Sequence, residues 1–204
     1  MNSKKFLAFA MAAAMTLSMT ACGGSGSGAA SSGTDSAAGT AFKLGGTGPL
    51  TGGASIYGLA AQRGAQIAVD EINAQGGAIQ FDLKYEDDQH DPEKAVNAYN
   101  ALKEWGMQIS LGSVTSQPGI STSALSQEDG IFALTPSASS PDVIAGKDNV
   151  YQMCFSDPNQ GLASAQYIAE QQLGEKIFII WKSDDNYSTG IKDKFMAEAD
   201  KLGL

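Results

Sequence analysis

Residues 42–86 read FKLGGTGPLTGGASIYGLAAQRGAQIAVDEINAQGGAIQFDLKYE, which predicts a short strand, a helix and a second strand in succession. The first strand covers 42–47, and the helix is predicted from Ala54 to Gln75, where two glycines follow. Apolar residues at helical spacing share one face of that helix: Ala60, Ile67, Ala68 and Ile72. Apolar residues alternate with polar ones over 80–86, which indicates the second strand. This order is typical of an α/β fold.

The same alternation of strands and helices continues along the chain. Asp91 and Pro92 form an N-cap and first-turn pair for a helix that ends near Gly106. Further strands are predicted at 108–112, 131–134, 151–155 and 176–181. Further helices are predicted up to about Glu128, at 161–173 and at 187–202. Repeated units of this kind predict a mostly parallel sheet, with a ligand site beyond the carboxyl ends of its strands.

The last predicted strand, KIFIIW at residues 176–181, is fully apolar, as strands in the middle of a parallel sheet are. Together with the helix at 187–202 it looks like the first unit of a second region. One strand and one helix cannot bury a core. We therefore expect residues 42–155 to form a first lobe, and residues 156–204 to form the incomplete start of a second lobe in a longer protein.

Residues 1–22 have a positive start, an apolar stretch from Phe6 to Met19 that is too short for a permanent membrane anchor, and small residues before Cys22. This pattern resembles a bacterial lipoprotein signal, in which the cysteine thiol is lipidated and the cysteine becomes the new N-terminus. Residues 23–41 consist almost entirely of Gly, Ser, Ala and Thr, which predicts a flexible tether. An ordinary signal peptide with an incidental cysteine is the alternative.

The chain of 204 residues has 13 basic and 22 acidic residues and a formal charge of −9. Loss of a leader that contains Lys4 and Lys5 leaves 11 basic residues against 22 acidic ones, a charge of −11. An acidic surface repels phosphate backbones and anionic lipid headgroups, so we expect no nucleic-acid partner. Cys154, a lone thiol in an apolar run, is interpreted as a small buried hydrophobic residue.

The sequence lacks the residues that several kinds of binding and catalytic site require. In the glycine-rich turn, Ala54 stands where a phosphate loop has lysine, and Thr51 stands where a dinucleotide fingerprint has glycine. The only histidine, His90, has too few partners for acid–base catalysis or a zinc site, and the DDQHDPEK segment around it is interpreted as a solvated loop that caps a helix. No Gly-x-Ser-x-Gly elbow occurs in the folded part. We expect no enzyme activity, no cofactor and no metal.

Three loops follow strands at the same edge of the predicted sheet, and they are rich in hydroxyl groups. They contain Tyr57 in the first loop, Ser113, Thr115 and Ser116 in the second, and Ser137, Ser139 and Ser140 in the third. Hydroxyls and free N–H groups at helix starts form a neutral anion site that suits a carboxylate. The alternative is that these hydroxyl-rich loops only cap helices and bind no ligand. We predict that residues 113–116 and 137–140 converge on one cleft.

Four stretches occur in a fixed order along the chain: GPLTGGASIYGLAAQRGAQIAVDEINAQGG, EDDQHDPEKAV, LGSVTSQPG and TPSASSPDV. Together they resemble the N-terminal half of the periplasmic binding proteins that serve branched-chain amino acid ABC transporters. The resemblance runs from about Lys43 to the end of the chain and is most specific in the first stretch. It implies a type I two-lobe fold, with a doubly wound parallel sheet in lobe 1 and a truncated lobe 2, which close over the ligand about a hinge.

The resemblance also implies ligand-binding positions. Ser116 matches a serine whose hydroxyl and amide receive the ligand carboxylate, and Ser137 falls where backbone groups face the amino-acid head. Ser139 matches a hydroxyl residue that holds the ammonium group. Tyr57 matches an aromatic residue that packs by the ligand side chain, and Tyr187 matches a second-lobe tyrosine at the cleft.

This chain departs from some members of the family at two points. Some members have a disulfide that joins the positions of His90 and Thr115, and this chain cannot form it. Members also place an acid in the second lobe to pair with the ammonium group, in a region absent from this sequence.

The resemblance implies an exported, lipid-anchored monomer on the extracytoplasmic face of the cell membrane, which lies in the periplasm where the host has an outer membrane. Such a protein captures an amino acid of the branched-chain type and passes it to an ABC permease. A ligand-sensing module of the same fold is one alternative. A binder of an amide, urea or aromatic acid is another.

Overall fold

A computed structural model describes residues 41–204, so the predicted signal peptide, Cys22 and residues 23–40 of the predicted tether lie outside the described residues. The described part contains one five-stranded sheet in the order β2-β1-β3-β4-β5. The strands are β1 Ala41–Gly48, β2 Gln80–Asp87, β3 Ile109–Ser113, β4 Phe132–Thr135 and β5 Val150–Gln152. All neighbouring strands pair in parallel, which confirms the predicted α/β fold with a parallel sheet.

The helices alternate with these strands and then continue beyond the sheet. They are α1 Ser55–Ala74, α2 Pro92–Trp105, α3 Ser116–Asp129, α4 Asp157–Glu170 and α5 Asn186–Leu202, with a short 3-10 turn at Pro141–Val143. The chain leaves β1 toward β2 on one side and later returns to β3 on the other, so the strand order reverses between β1 and β3. Right-handed crossovers then put α1 on one face of the sheet and α2 and α3 on the other.

Local sequence signals account for the ends of α2. The Asp91 side chain accepts hydrogen bonds from the Glu93 and Lys94 N–H groups at 2.9 Å each, which confirms the predicted N-cap. Gly106 ends the helix at φ 95°, in the left-handed region where glycine is favoured. Apolar side chains of α2 pack on the sheet and on α3, with Tyr99 and Leu102 almost fully buried.

The apolar face of α1 is not the face that is buried. The helix forms where it was predicted, but its predicted apolar face is exposed, with Ile67 59% and Ile72 40% exposed. Gly58 and Val69 are the buried residues of this helix. Gly58 lies so close to Pro49 that a Cβ on the glycine would be 2.1 Å from the Pro49 carbonyl oxygen. Periodicity groups residues on one face, but it does not decide which face meets the sheet.

The prediction of a strand at 176–181 is wrong for the structure described. Residues 176–181 have no strand conformation, and Phe178 and Ile180 are 88% and 86% exposed. A strand is defined by hydrogen bonds to a neighbouring strand, and within residues 41–204 none of the sheet pairs involves this segment. Its apolar composition therefore fits a sheet interior that the described residues do not build.

The last two helices form a packing unit of their own. Phe195 and Ala199 of α5 are buried against Ala165 of α4, and the partly buried Ile168 and Ile179 pack beside them. The first of these helices was predicted from residue 161 but begins at Asp157, where Pro158 occupies the first turn. Strand β5 is shorter than the predicted 151–155, because its neighbour β4 ends at Thr135, which pairs with Gln152.

Candidate functional site

The strand order reverses between β1 and β3, and ligands of such sheets bind at this point. Loops from both sides of it meet in one cavity of about 460 Å³ at the carboxyl ends of the strands. The residues that line it come from the β1–α1, β2–α2, β3–α3 and β4–β5 connections and the helix starts that follow them, from the segment after β5, and from the starts of α4 and α5. They are Ala54, Tyr57, His90, Val114, Thr115, Ser116, Ser137, Ser139, Cys154, Phe155, Gln160, Asp185 and Tyr187.

The five residues predicted to contact a ligand all lie in the wall of this cavity: Tyr57, Ser116, Ser137, Ser139 and Tyr187. They are separated by as many as 130 positions along the chain, and the fold brings them together. The two tyrosines are largely exposed, whereas Ser116 and Ser139 are buried. The cavity therefore has aromatic walls near solvent and hydroxyl groups at its base.

Ser116 joins the second and third loops directly. Its Oγ accepts hydrogen bonds from the Ser139 and Ser140 N–H groups at 3.2 Å each. Thr115, the residue before α3, makes no side-chain hydrogen bond to the first turn of the helix. An oxygen that accepts two bonds can still donate its own proton. The start of α3 thus offers a hydroxyl donor beside the positive end of a helix.

Buried hydroxyl groups fix the third loop to the end of β3. Thr135 Oγ1 donates to the Ser113 carbonyl at 2.7 Å, and Ser137 Oγ donates to the Val114 carbonyl at 2.9 Å. Below them, the Ser113 hydroxyl is 2.5 Å from Thr47 Oγ1 and 2.9 Å from Thr122 Oγ1. Since satisfied buried networks rigidify a site, these contacts pre-organise the serine loops.

The β2–α2 connection contributes to the site in a way that the sequence interpretation missed. Asp91 caps α2 as predicted, but His90 lies in the cavity wall, where its Nδ1 is 2.9 Å from Thr115 Oγ1. Asp88 is fully buried and its Oδ1 accepts a hydrogen bond from the His90 N–H at 2.9 Å. Burial raises the pKa of Asp88 to about 6. The segment is therefore only partly a solvated loop.

Two further acidic residues stand near the serine loops. Asp185 caps α5 through Oδ2, which accepts from the Ser188 N–H at 2.9 Å and from the Ser188 hydroxyl at 2.8 Å. Asp157 is the first residue of α4, and burial raises the pKa of its carboxyl group. In the sequence both look like ordinary helix caps, and nothing local marks them as residues of a site.

Cys154 lies in the cavity wall and is half-buried, so its interpretation as an interior residue is only partly right. Burial raises the pKa of its thiol, which keeps the sulfur protonated and a poor nucleophile at neutral pH. In the described part of the chain, no group of three His, Cys, Asp or Glu side chains could hold a metal ion. The arrangement suits reversible binding of a small polar molecule with an apolar part.

None of the helices within residues 41–204 combines the length and the apolar composition that crossing a bilayer requires.

Comparison with known proteins agrees with this architecture. The family model described as periplasmic binding protein matches residues 41–204. Leu/Ile/Val-binding protein homolog 3 of Brucella melitensis is 32% identical over 179 residues, which are 86% of this chain and 48% of that protein. The chain thus spans about half the length of the curated relatives it matches.

Two solved structures share the fold. The leucine-binding protein LivK of Thermotoga maritima has a TM-score of 0.74 and 25% identity, over 79% of this chain and 46% of that one. The branched-chain amino acid transporter substrate-binding protein LivJ of Streptococcus pneumoniae, solved with isoleucine, has a TM-score of 0.73 and 27% identity, over 78% and 47%.

These relatives are solute-binding proteins, a non-enzymatic group, and the family implies an extracytoplasmic location. The match over residues 41–204 and the shared fold confirm the resemblance found in the sequence. This chain belongs to the periplasmic binding protein family, together with the Leu/Ile/Val-binding proteins of ABC transporters.

Proposed function

We propose that the protein is an extracytoplasmic solute-binding lipoprotein of an ABC importer, which captures an amino acid of the branched-chain type and delivers it to the permease. The observation that carries this proposal is the pair of hydrogen bonds from Ser139 and Ser140 to Ser116 Oγ, since they unite two serine-rich loops in one cavity wall. The names of the relatives, a Leu/Ile/Val-binding protein homolog, a leucine-binding protein and a protein solved with isoleucine, support the ligand class.

The ligand carboxylate is assigned to the start of α3. There Ser116 has a hydroxyl proton available, and the first N–H groups of the helix have no side-chain cap from Thr115. A helix N-terminus favours an anion, and fixed donors replace the water that the carboxylate loses on entry. His90 stabilises this end of the site by its hydrogen bond with Thr115.

The remaining parts of the ligand are assigned to the other walls. The Ser137 backbone and the Ser139 hydroxyl are proposed to receive the ammonium group, and Tyr57 and Tyr187 to enclose the side chain. The cavity of about 460 Å³ is of the size typical for small-molecule sites and has room for an amino acid. Binding of this kind needs no reactive group and releases the ligand unchanged, so we propose that the protein is not an enzyme.

The proposal includes two lobes, 42–155 and 156–204, that approach each other around the ligand. It is supported by the separate core that α4 and α5 form around Phe195. A hydrogen bond of 2.7 Å from Gln117 Nε2 to the Asp184 carbonyl joins the start of α3 to the segment before α5. Closure of lobes would bury the ligand and strengthen its polar contacts.

Calorimetric titration of the full-length mature protein with the twenty standard amino acids tests the proposal. We expect heat with leucine, isoleucine or valine, and we expect Ser116→Ala to weaken that binding by about 1–3 kcal/mol, because the carboxylate loses a donor. Ser123→Ala is the matched control, since Ser123 is a buried serine of the same helix whose hydroxyl donates to the Ile120 carbonyl away from the cavity. Absence of heat with every amino acid would contradict the proposal.

A further inference from the structure

Among residues 41–204, His90 is the only residue of the cavity wall that can become positively charged, since the wall contains neither lysine nor arginine. It lies beside Thr115 and Ser116, at the end of the cavity proposed to receive the ligand carboxylate. Histidine changes charge between pH 5 and 8, whereas the carboxylate of an amino acid stays ionised over that range. The charge at this end of the site therefore depends on one imidazole group.

The backbone at His90 has an unusual conformation that its neighbours hold in place. Gln89 and His90 have φ angles of 51° and 60°, in the left-handed region that residues other than glycine rarely adopt. Asp87 Oδ1 accepts a hydrogen bond from the Gln89 N–H at 3.0 Å, and Asp88 Oδ1 accepts one from the His90 N–H at 2.9 Å. Strained backbone of this kind is concentrated at functional sites. The turn thus points to a role for His90 beyond the start of α2.

The same connection is fixed to the loops on both sides of it. Asp87 accepts hydrogen bonds from the Leu50 N–H at 2.8 Å and from the Thr51 hydroxyl at 2.5 Å, both in the β1–α1 connection. On the other side, His90 Nδ1 is 2.9 Å from Thr115 Oγ1, in the β3–α3 connection. The imidazole is therefore half-buried and held between two loops of the site.

The hydrogen bond between His90 and Thr115 depends on the protonation of the imidazole. A neutral imidazole can accept the Thr115 hydroxyl proton at Nδ1, whereas an imidazolium ion can only donate from Nδ1. In the second case Thr115 Oγ1 is the acceptor, and its own proton can turn toward a ligand. The Thr115 side chain makes no hydrogen bond to the first turn of α3 that would hold this proton. Protonation of His90 thus adds both a charge and a donor at the start of α3.

Most of the ionisable groups close to His90 in the chain or in the cavity wall are acids or neutral groups. They are Asp87, Asp88, Asp91 and Lys94 in its own connection and in α2, and Tyr57, Cys154, Asp185 and Tyr187 in the cavity wall. Burial raises the pKa of Asp88 to about 6, so this acid also gains a proton in the range where histidine does. Loss of its negative charge would favour a carboxylate as well, so a test has to separate His90 from Asp88.

We propose that His90 is a further residue of the ligand site, which positions the Thr115 hydroxyl group and, when protonated, supplies the positive charge next to the ligand carboxylate. This inference rests on the proposed function and makes the capture of an amino acid stronger at acidic pH. Because the bound carboxylate in turn stabilises the imidazolium form, binding takes up protons in the range where His90 titrates.

The first experiment is calorimetry on the unaltered full-length mature protein, with whichever of leucine, isoleucine and valine binds most tightly at pH 7. We expect the affinity to be about 3- to 10-fold higher at pH 5.5 than at pH 8. Titrations at pH 6.5 in buffers of different ionisation enthalpy should show net proton uptake. Equal affinities at the two pH values, or no proton uptake, would overturn the inference and leave an amino-acid-binding protein. If no amino acid binds at any pH, the proposed function fails and the inference fails with it.

The second experiment uses His90→Asn, because asparagine tolerates the left-handed backbone and has a polar atom near the position of Nδ1, but takes up no proton. We expect this variant to bind like the parent protein at pH 8 and to lack the rise in affinity at pH 5.5. His90→Ala should bind about 3- to 10-fold more weakly at pH 8, since Thr115 loses its partner. Asp88→Asn should keep the rise at pH 5.5.

The matched control is Gln89→Asn, at an exposed position in the same left-handed turn and outside the cavity wall, which should bind like the parent protein at both pH values. Melting temperatures at both pH values show whether each variant is folded. If the His90 variants keep the same rise in affinity at acidic pH, His90 has only a structural role and the inference is wrong. If they do not fold, the proton uptake of the unaltered protein still decides the question.

Discussion

Single residues around the cavity combine structural and electrostatic roles, and Asp88 illustrates this most clearly. Its N–H donates to the Gly48 carbonyl at 3.0 Å, and its Oδ1 accepts from the His90 N–H at 2.9 Å, so it holds the ends of β1 and β2 together below the site. Its Oδ2 is buried without a partner, and burial raises its pKa to about 6. The residue organises the loop while its charge destabilises the folded state at neutral pH.

We expect Asp88→Asn to remove the pH dependence of folding stability that the Asp88 carboxyl group causes. Because the pKa of Asp88 is higher in the folded state than its ordinary value of 3.8, the folded state binds more protons between about pH 4 and pH 6. Stability from this group is therefore present at low pH and is lost as the pH rises through 6. The loss at pH 7 is on the order of 2–3 kcal/mol, and asparagine keeps the acceptor for His90 while it removes the charge.

Urea unfolding of both proteins at pH 4 and pH 7 measures this effect. The difference in unfolding free energy between variant and parent should be larger at pH 7 than at pH 4. Asp82→Asn, at an exposed position of β2, the strand that ends just before Asp88, is the control and should show no such change. If the variant is equally destabilised at both pH values, burial does not raise the pKa of the Asp88 carboxyl group.

At the scale of elements, the contact between α4 and α5 depends on close approach of their backbones. Gly161 of α4 is buried, and a Cβ at this position would lie 2.2 Å from the Ile191 carbonyl oxygen and 2.8 Å from the Phe195 nitrogen. Both neighbours are backbone atoms of α5, so they cannot yield without moving the helix. The packing that places Asp157 and Asp185 beside each other therefore requires glycine here.

Gly161→Ala should lower the unfolding free energy by about 2 kcal/mol or more, because the methyl group must separate the two helices. Gly64→Ala is the matched control, as Gly64 lies within α1 and a Cβ added there would meet no atom within 4 Å. That control should stabilise the protein by about 0.5–1 kcal/mol, since alanine favours a helix more than glycine does. Thermal unfolding followed by circular dichroism compares them, and equal effects of the two substitutions would contradict the packing described.

At the scale of the whole molecule, the site exists only because four connections meet at one edge of the sheet. The strand order reverses between β1 and β3, which opens a crevice where the β1–α1 and β3–α3 connections diverge. The segment that contains Asp185 and Tyr187 reaches the same cavity from beyond the sheet. In the proposed function, a lipid on the N-terminus attaches this cleft to the membrane in which the permease lies.

We expect Cys22→Ser to release the full-length protein from the membrane fraction of its host. Acyl chains anchor a protein by about 0.8 kcal/mol for each buried methylene group, and only a lipidated Cys22 would supply them in the proposed anchor. Cell fractionation and mass spectrometry of the mature N-terminus measure the outcome. Cys154→Ser serves as the control for loss of a thiol, and a Cys22→Ser protein that stays in the membrane fraction would contradict lipid anchoring.

Much of the fold could be predicted from the sequence because its signals are local. The Asp91–Pro92 pair fixed the start of α2, and the alternation of Phe81, Leu83 and Tyr85 marked β2. Features that depend on contacts with residues distant in the chain could not be predicted. The KIFIIW segment has the composition of a buried strand but no strand beside it within residues 41–204, and α1 turns Ile67 toward solvent.

The residues of the candidate site likewise include some that could be predicted from the sequence and others that could not. The serines at 116, 137 and 139 and the tyrosines at 57 and 187 could be named from motif positions in the sequence, and they meet in one cavity. His90, Asp157 and Asp185 could not be named, because a histidine in a polar loop and aspartates before helices look like ordinary surface residues. Their roles depend on burial and on missing partners, which are properties of the folded chain.

By itself, the sequence determined the class of fold, the order of its elements as far as β5 and the family, since periodicity, capping residues and motif spacing are all local properties of a chain. Only the tertiary structure decided that Ser116 bonds to the loop at 139–140 and that, within the part of the chain described, two carboxyl groups are enclosed without a cation beside them. The physical reason is that burial and charge compensation depend on which distant segments come together, and no short stretch of sequence records that.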